Sequence, residues 1–386
     1  MTAAWHLLTG ELAGGGIGDY TRLLADALAD AGRDVHVWSP DAAGVTLRGA
    51  SVHPVRGVGR HALAELGTAL DGFPAPRRLL VQYAPQAWGM RGMNVALGRW
   101  LRARRRAGDD VRVMFHEPFF PFGWQRPQRN LLAAANRWMA RDLLRAATRA
   151  YVSIDAWEPM LRPLAPPGRR FDTLPIPSTI PYVDDPARVA ERRAQLSEDG
   201  TRPVFVHFGT YGGLIAPLLR EALRALIARR PDARILLLGR GGAAFADRVH
   251  HDDPRLADAI VAPGFQSPEA ISLQLQASDV ALQPYPDGAD TRRTSLMACL
   301  ANGVPTVTTR GRFTRADVML SVAGYPVASQ PHRVGEIAAD IYEDPAVTCV
   351  GMDPGVPLRI ATRDAYLRTF SFDHTVEMLL AGEGGG

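Results

Sequence analysis

Short apolar runs alternate along this chain with longer stretches whose apolar residues recur every three or four positions. Ala3-Ala-Trp-His-Leu-Leu8, Asp34-Val-His-Val-Trp38, Arg78-Leu-Leu-Val-Gln-Tyr83, Asp110-Val-Arg-Val-Met-Phe115 and Ala150-Tyr-Val-Ser153 read as buried strands. Between them, Tyr20 to Ala31 carries Leu23, Leu24, Ala27 and Leu28 on one face and stops at Gly32, and residues 128–148 form a long amphipathic helix. This rhythm predicts a doubly wound parallel sheet.

From about 163 to 202 the pattern dissolves into Pro-Gly-rich text, and then a second series begins. Pro203-Val-Phe-Val-His-Phe208 and Ala233-Arg-Ile-Leu-Leu-Leu238 read as strands, each ending in a glycine turn, with a helix at 218–229 between them. Ala259-Ile-Val-Ala262 and Asp279-Val-Ala-Leu-Gln-Pro284 follow, and the tail from about 360 to 381 is helical. The expected fold is therefore α/β, two doubly wound Rossmann-like domains facing across a cleft. Their expected bounds are 1–175, a connecting stretch at 176–202, 203–360, and a C-terminal helix with a glycine tail at 361–386. That helix is expected to pack back on the first domain.

A chain of 386 residues exceeds what one ordinary core accommodates, which agrees with two domains. No apolar run reaches membrane-spanning length and no signal peptide is evident. The only cysteines, Cys299 and Cys349, support neither a disulfide framework nor a cysteine metal site, so a reducing, cytoplasmic setting is expected. All 44 basic residues are arginine, so any anion must be held by planar guanidinium forks. Residues 1–180 hold 23 Arg against 15 acids, a balance of +8, while residues 181–386 hold 21 against 25, a balance of −4. Much of the excess lies between Arg99 and Arg149, including Arg102, Arg104, Arg105 and Arg106. Such a half suits an anionic acceptor or the inner face of an anionic membrane, or is simply a solvated surface. Nucleic acid is disfavoured, because the aromatics do not interleave with the arginines.

The richest chemistry lies in Asp287–Thr309, which reads as strand end, polar loop, helix, glycine stop and strand. Arg292 and Arg293 stand just before a helix that Thr294 or Ser295 can cap, and Gly303 ends it. Free N–H groups, helix dipole and guanidinium forks converge there, which suits a pyrophosphate. The first loop, Gly14-Gly-Gly-Ile-Gly18, lets backbone approach a ligand closely, but the last glycine of the dinucleotide fingerprint is absent and hydride transfer is disfavoured. His116-Glu-Pro118 closes a predicted strand, and the loop to Gly123 carries Phe119, Phe120 and Phe122. This aromatic loop and the helix at 128–148 are either ordinary core or a seat for an apolar or membrane-borne ligand.

Gly15-Gly-Ile-Gly-Asp-Tyr-Thr-Arg-Leu-Leu-Ala-Asp-Ala-Leu28 resembles the opening of family-4, GT-B-fold glycosyltransferases. Pro203 to Gly213, Leu236-Leu-Leu-Gly-Arg240, Gly264 to Ile271 and Ala277-Ser-Asp-Val-Ala-Leu-Gln-Pro284 are similar to later landmarks of that family, in order. The resemblance implies transfer of a hexosyl or related group from a nucleotide-diphosphate sugar to a small-molecule or lipid-linked acceptor. It further implies retention of configuration, no metal and no cofactor beyond the donor itself, with domain closure over the cleft.

Carried onto this sequence, the resemblance implies His116 beside the transferred sugar, and Glu117, Gly15 and Asp19 toward the acceptor. It implies Gly16, Gly209, Thr210, Phe265, Gln266, Thr294 and Ser295 toward the donor. The family's paired-acid motif, registered on Ala301-Asn-Gly-Val-Pro305, falls on Asp290 and Ala298, so Asp290 remains as a catalytic acid able to accept sugar hydroxyls while the second acid is missing. Gly209 to Leu219 also lacks the basic pair that commonly grips the diphosphate, leaving Arg292 and Arg293, with Arg240, to supply that charge. The altered motif keeps two alternatives open: a pseudo-glycosyltransferase, and a catalytically silent nucleotide-sugar-binding partner protein.

Overall fold

The computed structural model describes residues 3–123, 129–198, 201–314, 327–344 and 357–381. These form two compact units, one comprising 1–175 with 375–386 and the other 176–374.

Unit 1 holds a seven-stranded sheet of order β3-β2-β1-β4-β5-β6-β7, with every pairing parallel. The strands are β1 (Trp5–Thr9), β2 (Val35–Ser39), β3 (Ser51–Pro54), β4 (Arg78–Tyr83), β5 (Asp110–Phe115), β6 (Arg149–Val152) and β7 (Phe171–Thr173). Helices α1 (Gly15–Asp30), α2 (Arg60–Asp71), α3 (Val95–Arg106), α4 (Arg129–Ala146) and α5 (Trp157–Leu161) connect them. Leu7, Val81, Val113 and Phe115 are fully buried, as near-continuous apolar runs covered on both faces of a parallel sheet require.

Unit 2 holds a six-stranded parallel sheet of order β10-β9-β8-β11-β12-β13. Its strands are β8 (Val204–Phe208), β9 (Arg234–Leu238), β10 (Ile260–Val261), β11 (Val280–Gln283), β12 (Thr306–Thr309) and β13 (Val327–Ala328). Its helices are α6 (Pro186–Ser197), α7 (Ala216–Arg229), α8 (Gly242–Asp252), α9 (Pro268–Gln276), α10 (Thr294–Ala301), α11 (Pro331–Glu343) and α12 (Leu358–Thr369); α13 (Phe372–Leu380) follows at the boundary. In both sheets the strand order reverses at one place, between β1 and β4 and between β8 and β11, where open sheets of this class bind ligands beyond the carboxyl ends of their strands.

Three local readings change. The glycine run is not a loop ahead of the first helix: α1 begins at Gly15, five residues before Tyr20, so Gly15 and Gly16 are its first turn. The stretch at 176–202 belongs to unit 2 and contains α6, opened by Asp185, whose carboxylate accepts from Arg188 N at 3.0 Å. The C-terminal segment at 361–386 is divided: α12 lies in unit 2, whereas residues from 375 onward belong to unit 1, where Arg112 Nη1 donates to Leu379 O at 2.8 Å.

Part of the arginine excess is structural. Arg104 is buried, donating to Asp109 at 2.6 Å and Asp71 at 2.8 Å. Arg105 caps the end of α4 by donating to the carbonyls of Arg145 and Ala147, each at 3.0 Å.

Candidate functional site

In unit 1 the loops after β1, β4 and β5 gather the sequence-predicted residues. Gly15 adopts φ +80°, and Gly14 to Gly16 are exposed. A methyl on Gly16 would meet nothing within 4 Å, whereas one on Gly18 would sit 2.9 Å from Leu12 O. Gly18 therefore serves packing, and Gly16 presents open backbone. The loop is held by Asp41, which the sequence reading missed. Its carboxylate accepts from Leu12 N at 2.7 Å, Ala13 N at 3.1 Å and Ser39 Oγ at 2.7 Å. Burial pushes the Asp41 carboxyl up, but the bonds from Ser39, Ala13 and Leu12 outweigh it and hold it below the ordinary value. Asp19 pairs with Arg22 on the surface of α1.

His116 stands directly after β5, its amide donating to Tyr83 O at 2.9 Å. Its own carbonyl accepts from Ser153 Oγ and Trp157 Nε1, each at 3.0 Å. The ring lies edge-on to Tyr20 of α1, with centroids 5.1 Å apart, which ties it to the glycine turn. Its Nε2 is 2.7 Å from Gln82 Oε1 on β4. An amide oxygen accepts, so Nε2 carries the ring proton and Nδ1 the lone pair. Burial lowers the His116 pKa from 6.5 to about 3, so the imidazole is neutral at physiological pH and a weak base. Proton transfer by this ring is thereby disfavoured; hydrogen bonding is what it offers. Glu117 accepts from Gln86 Nε2 at 2.7 Å on the exposed rim.

In unit 2 the corresponding loops follow β8, β9, β10 and β11. Gly209 and Gly239 press backbone on backbone: a methyl on Gly239, at φ +103°, would sit 2.2 Å from Gly209 O. One on Gly209 would lie 3.4 Å from Ser295 Oγ, so the β8 turn rests against the first turn of α10. Tyr285, which the sequence reading also missed, organises this corner. Its hydroxyl lies 2.9 Å from Ser295 Oγ and donates to Gln283 Oε1 at 3.1 Å, while Gln283 Nε2 donates to Phe208 O at 3.0 Å. Arg293, the residue preceding α10, lays its guanidinium over the Tyr285 ring at 4.8 Å. Thr294 is half-buried as the first helical residue.

The two arginines do different things. Arg292 closes on Asp290 through Nη2–Oδ2 at 2.8 Å and Nε–Oδ1 at 3.1 Å, with its amide also donating to Oδ1 at 2.9 Å. Asp290 is buried and turned inward, so its carboxylate is taken by Arg292 rather than presented to a sugar. Ala298 is fully buried in the core with Val206, Leu275 and Cys299. Arg240 and Thr210 are exposed on the turns after β9 and β8. Phe265 is 90% exposed on the turn after β10, whose shape is fixed by Gln266 Nε2 donating to the carbonyls of Pro263 and Phe265. Among the described residues no group of three or more His, Cys, Asp or Glu is placed to hold a metal ion, and no helix is long and apolar enough to cross a membrane.

No protein-family model matches the chain, and no curated protein matches its sequence. Solved structures do match its fold. Sucrose-phosphate synthase from Thermosynechococcus elongatus aligns over 98% of this chain and 97% of that one, with 16% identity and a TM-score of 0.68. HepE from Anabaena, solved with UDP and glucose, aligns over 100% of both chains at 13% identity and a TM-score of 0.66. WaaG, a glycosyltransferase involved in lipopolysaccharide biosynthesis, aligns over 99% of this chain and 100% of that one, with 16% identity and a TM-score of 0.62. The two parallel α/β Rossmann-like domains thus match the fold of GT-B glycosyltransferases.

Proposed function

We propose that this chain is a glycosyltransferase that takes a sugar from a nucleotide-diphosphate sugar held by unit 2 and passes it to an acceptor held by unit 1. The observation that carries the reading is Arg293 at the amino end of α10, stacked on Tyr285 beside the Gly209 turn. A free cation, helix N–H groups and backbone bare of Cβ atoms meet there, and a diphosphate needs all three. Arg240 adds a second guanidinium, this one exposed, and Phe265 offers an aromatic face to a base. HepE, solved with UDP-glucose, shares this fold, which supports a donor of the same class.

Retention without a metal is the second element of the proposal. A conjugate acid near 3 makes His116 a poor base for a sugar hydroxyl, so the leaving phosphate is the better acceptor of that proton. His116 then positions a hydroxyl through its Nδ1 lone pair, and Arg293 with the α10 amides stabilises the departing diphosphate. The acceptor is a small molecule or a lipid-linked one, met by Glu117 and the α1 glycine turn.

One observation favours a different reading, a silent nucleotide-sugar binder: neither Asp290, closed by Arg292, nor the buried Ala298 presents a free carboxylate. Calorimetry against UDP-, GDP-, ADP- and dTDP-sugars separates the cases. Saturable binding with hydrolysis or transfer, and an unchanged anomeric configuration by NMR, supports the enzyme; binding with no turnover on any acceptor supports the silent binder. Absence of binding to all four donors sinks both.

A further inference from the structure

We infer that unit 1 carries a docking face for an anionic lipid surface, built around the amino half of α4. Six of the seven large apolar side chains left exposed among the described residues of this unit lie on this helix and the two loops fastened to it, Met160 on α5 being the seventh: Met90, Met93, Phe120, Phe122, Leu131 and Trp138. Leu131 is 73% exposed, Met90 62% and Trp138 44%, amounts that a solvated surface does not normally concentrate in one place. The pieces are fastened together. Asn136 Nδ2 donates to Gly92 O at 2.5 Å, between the two methionines, and Phe120 N donates to Asn136 Oδ1 at 3.4 Å. Arg137 donates to Phe120 O at 2.9 Å and lays its guanidinium over Phe119 at 4.1 Å and Phe122 at 4.0 Å.

Charge selects the occupant. The exposed stripe of α4 runs Leu131, Ala134, Trp138, Arg141 and Arg145, at helical spacing, apolar first and cationic after. Alongside it, α3 presents Arg99, Arg105 and Arg106, with Arg99 stacked on Trp138 at 5.7 Å. Helix α3 has no acidic residue, and the one acid of α4, Asp142, is buried and 3.5 Å from Arg102. A Trp and Phe apex with guanidinium groups beside it and beyond it along α4 fits the boundary between acyl chains and anionic headgroups, where aromatic rings sit at the interface and arginines reach the phosphates. The surface stands on its own geometry and holds whether or not the chain transfers sugar.

Cosedimentation of the full chain with phosphatidylglycerol–phosphatidylcholine vesicles, beside pure phosphatidylcholine vesicles, tests it. Binding is expected on the anionic vesicles at low salt, weakening by tenfold or more on pure phosphatidylcholine and on raising salt to 0.5 M. L131S/W138S and R141E/R145E should each lower binding at least tenfold with unchanged thermal melting, because every substituted side chain is exposed. Equal binding to neutral vesicles, or anionic binding unmoved by both variants, overturns the inference. So does vesicle binding that is absent while light scattering shows a dimer abolished by L131S/W138S, since the face then belongs to a second copy.

Discussion

Arg292 and Asp290 form a two-point ion pair only two residues apart in sequence, with Nη2–Oδ2 at 2.8 Å and Nε–Oδ1 at 3.1 Å. The pair neutralises itself, and so Arg293 is the cation left at this helix start for the proposed donor.

The two arginine variants should therefore part company. Arg293→Ala is expected to weaken nucleotide-sugar binding by about tenfold to a hundredfold, the loss of one charge-assisted contact, with little change in melting temperature. Arg292→Ala strands a buried carboxylate. It should cost about 2 kcal/mol of stability, less than a fully buried pair because a quarter of the Arg292 side chain is exposed. Calorimetric titration and thermal melting of both variants check this. Equal donor-affinity losses would return Arg292 to the binding role.

Glycine substitutions separate packing from contact. Gly239→Ala forces a methyl to within 2.2 Å of Gly209 O at a positive φ, and should destabilise unit 2 by about 3 kcal/mol or more. Gly16→Ala meets open space and should leave melting unchanged, yet lower transfer activity if the α1 turn faces a ligand. A Gly16→Ala enzyme with full activity would remove that turn from the site.

Acid should destabilise the chain through three buried histidines. Burial lowers His6 and His116 to about 3 and His207 to about 4; around His6, the His36, His53, Arg77 and Arg104 charges add to burial. With folded values below the unfolded 6.5, the unfolded state takes up protons first as pH falls. Stability is full above about 6.5 and lost progressively toward 4 and then 3, about 2 kcal/mol per histidine by pH 5. Denaturant melts at pH 7.5 and 5 measure it, and His116→Gln should flatten the slope by one such share. The same value predicts no ionisation of His116 in the kcat/KM profile between pH 5 and 8.

Asp41→Ala should free the amides of Leu12 and Ala13 and loosen the first turn of α1, at a cost of about 1–2 kcal/mol. With the acceptor held by unit 1 as proposed, its KM should rise more than the donor KM, since the clamp lies wholly in that unit. Steady-state kinetics with each substrate varied in turn checks the split.

The sequence by itself determined the two parallel sheets, because strands buried on both faces read as near-continuous apolar runs and helices between them as stripes. It also located the loops that bear chemistry, since glycines and arginines beside predicted strand ends are visible in one dimension. It did not reveal that Asp290 would be claimed by Arg292, that Ala298 would be sealed in the core, or that Asp41 and Tyr285 would fasten the two loop systems. Those roles depend on which groups strand order brings within 3 Å, and a bond between Leu12 and Asp41 has no sequence period. His116 shows the division most clearly. Its place after β5 follows from the apolar run before it, but its neutrality follows from burial against Gln82 and Tyr20, which only the assembled sheet and α1 supply.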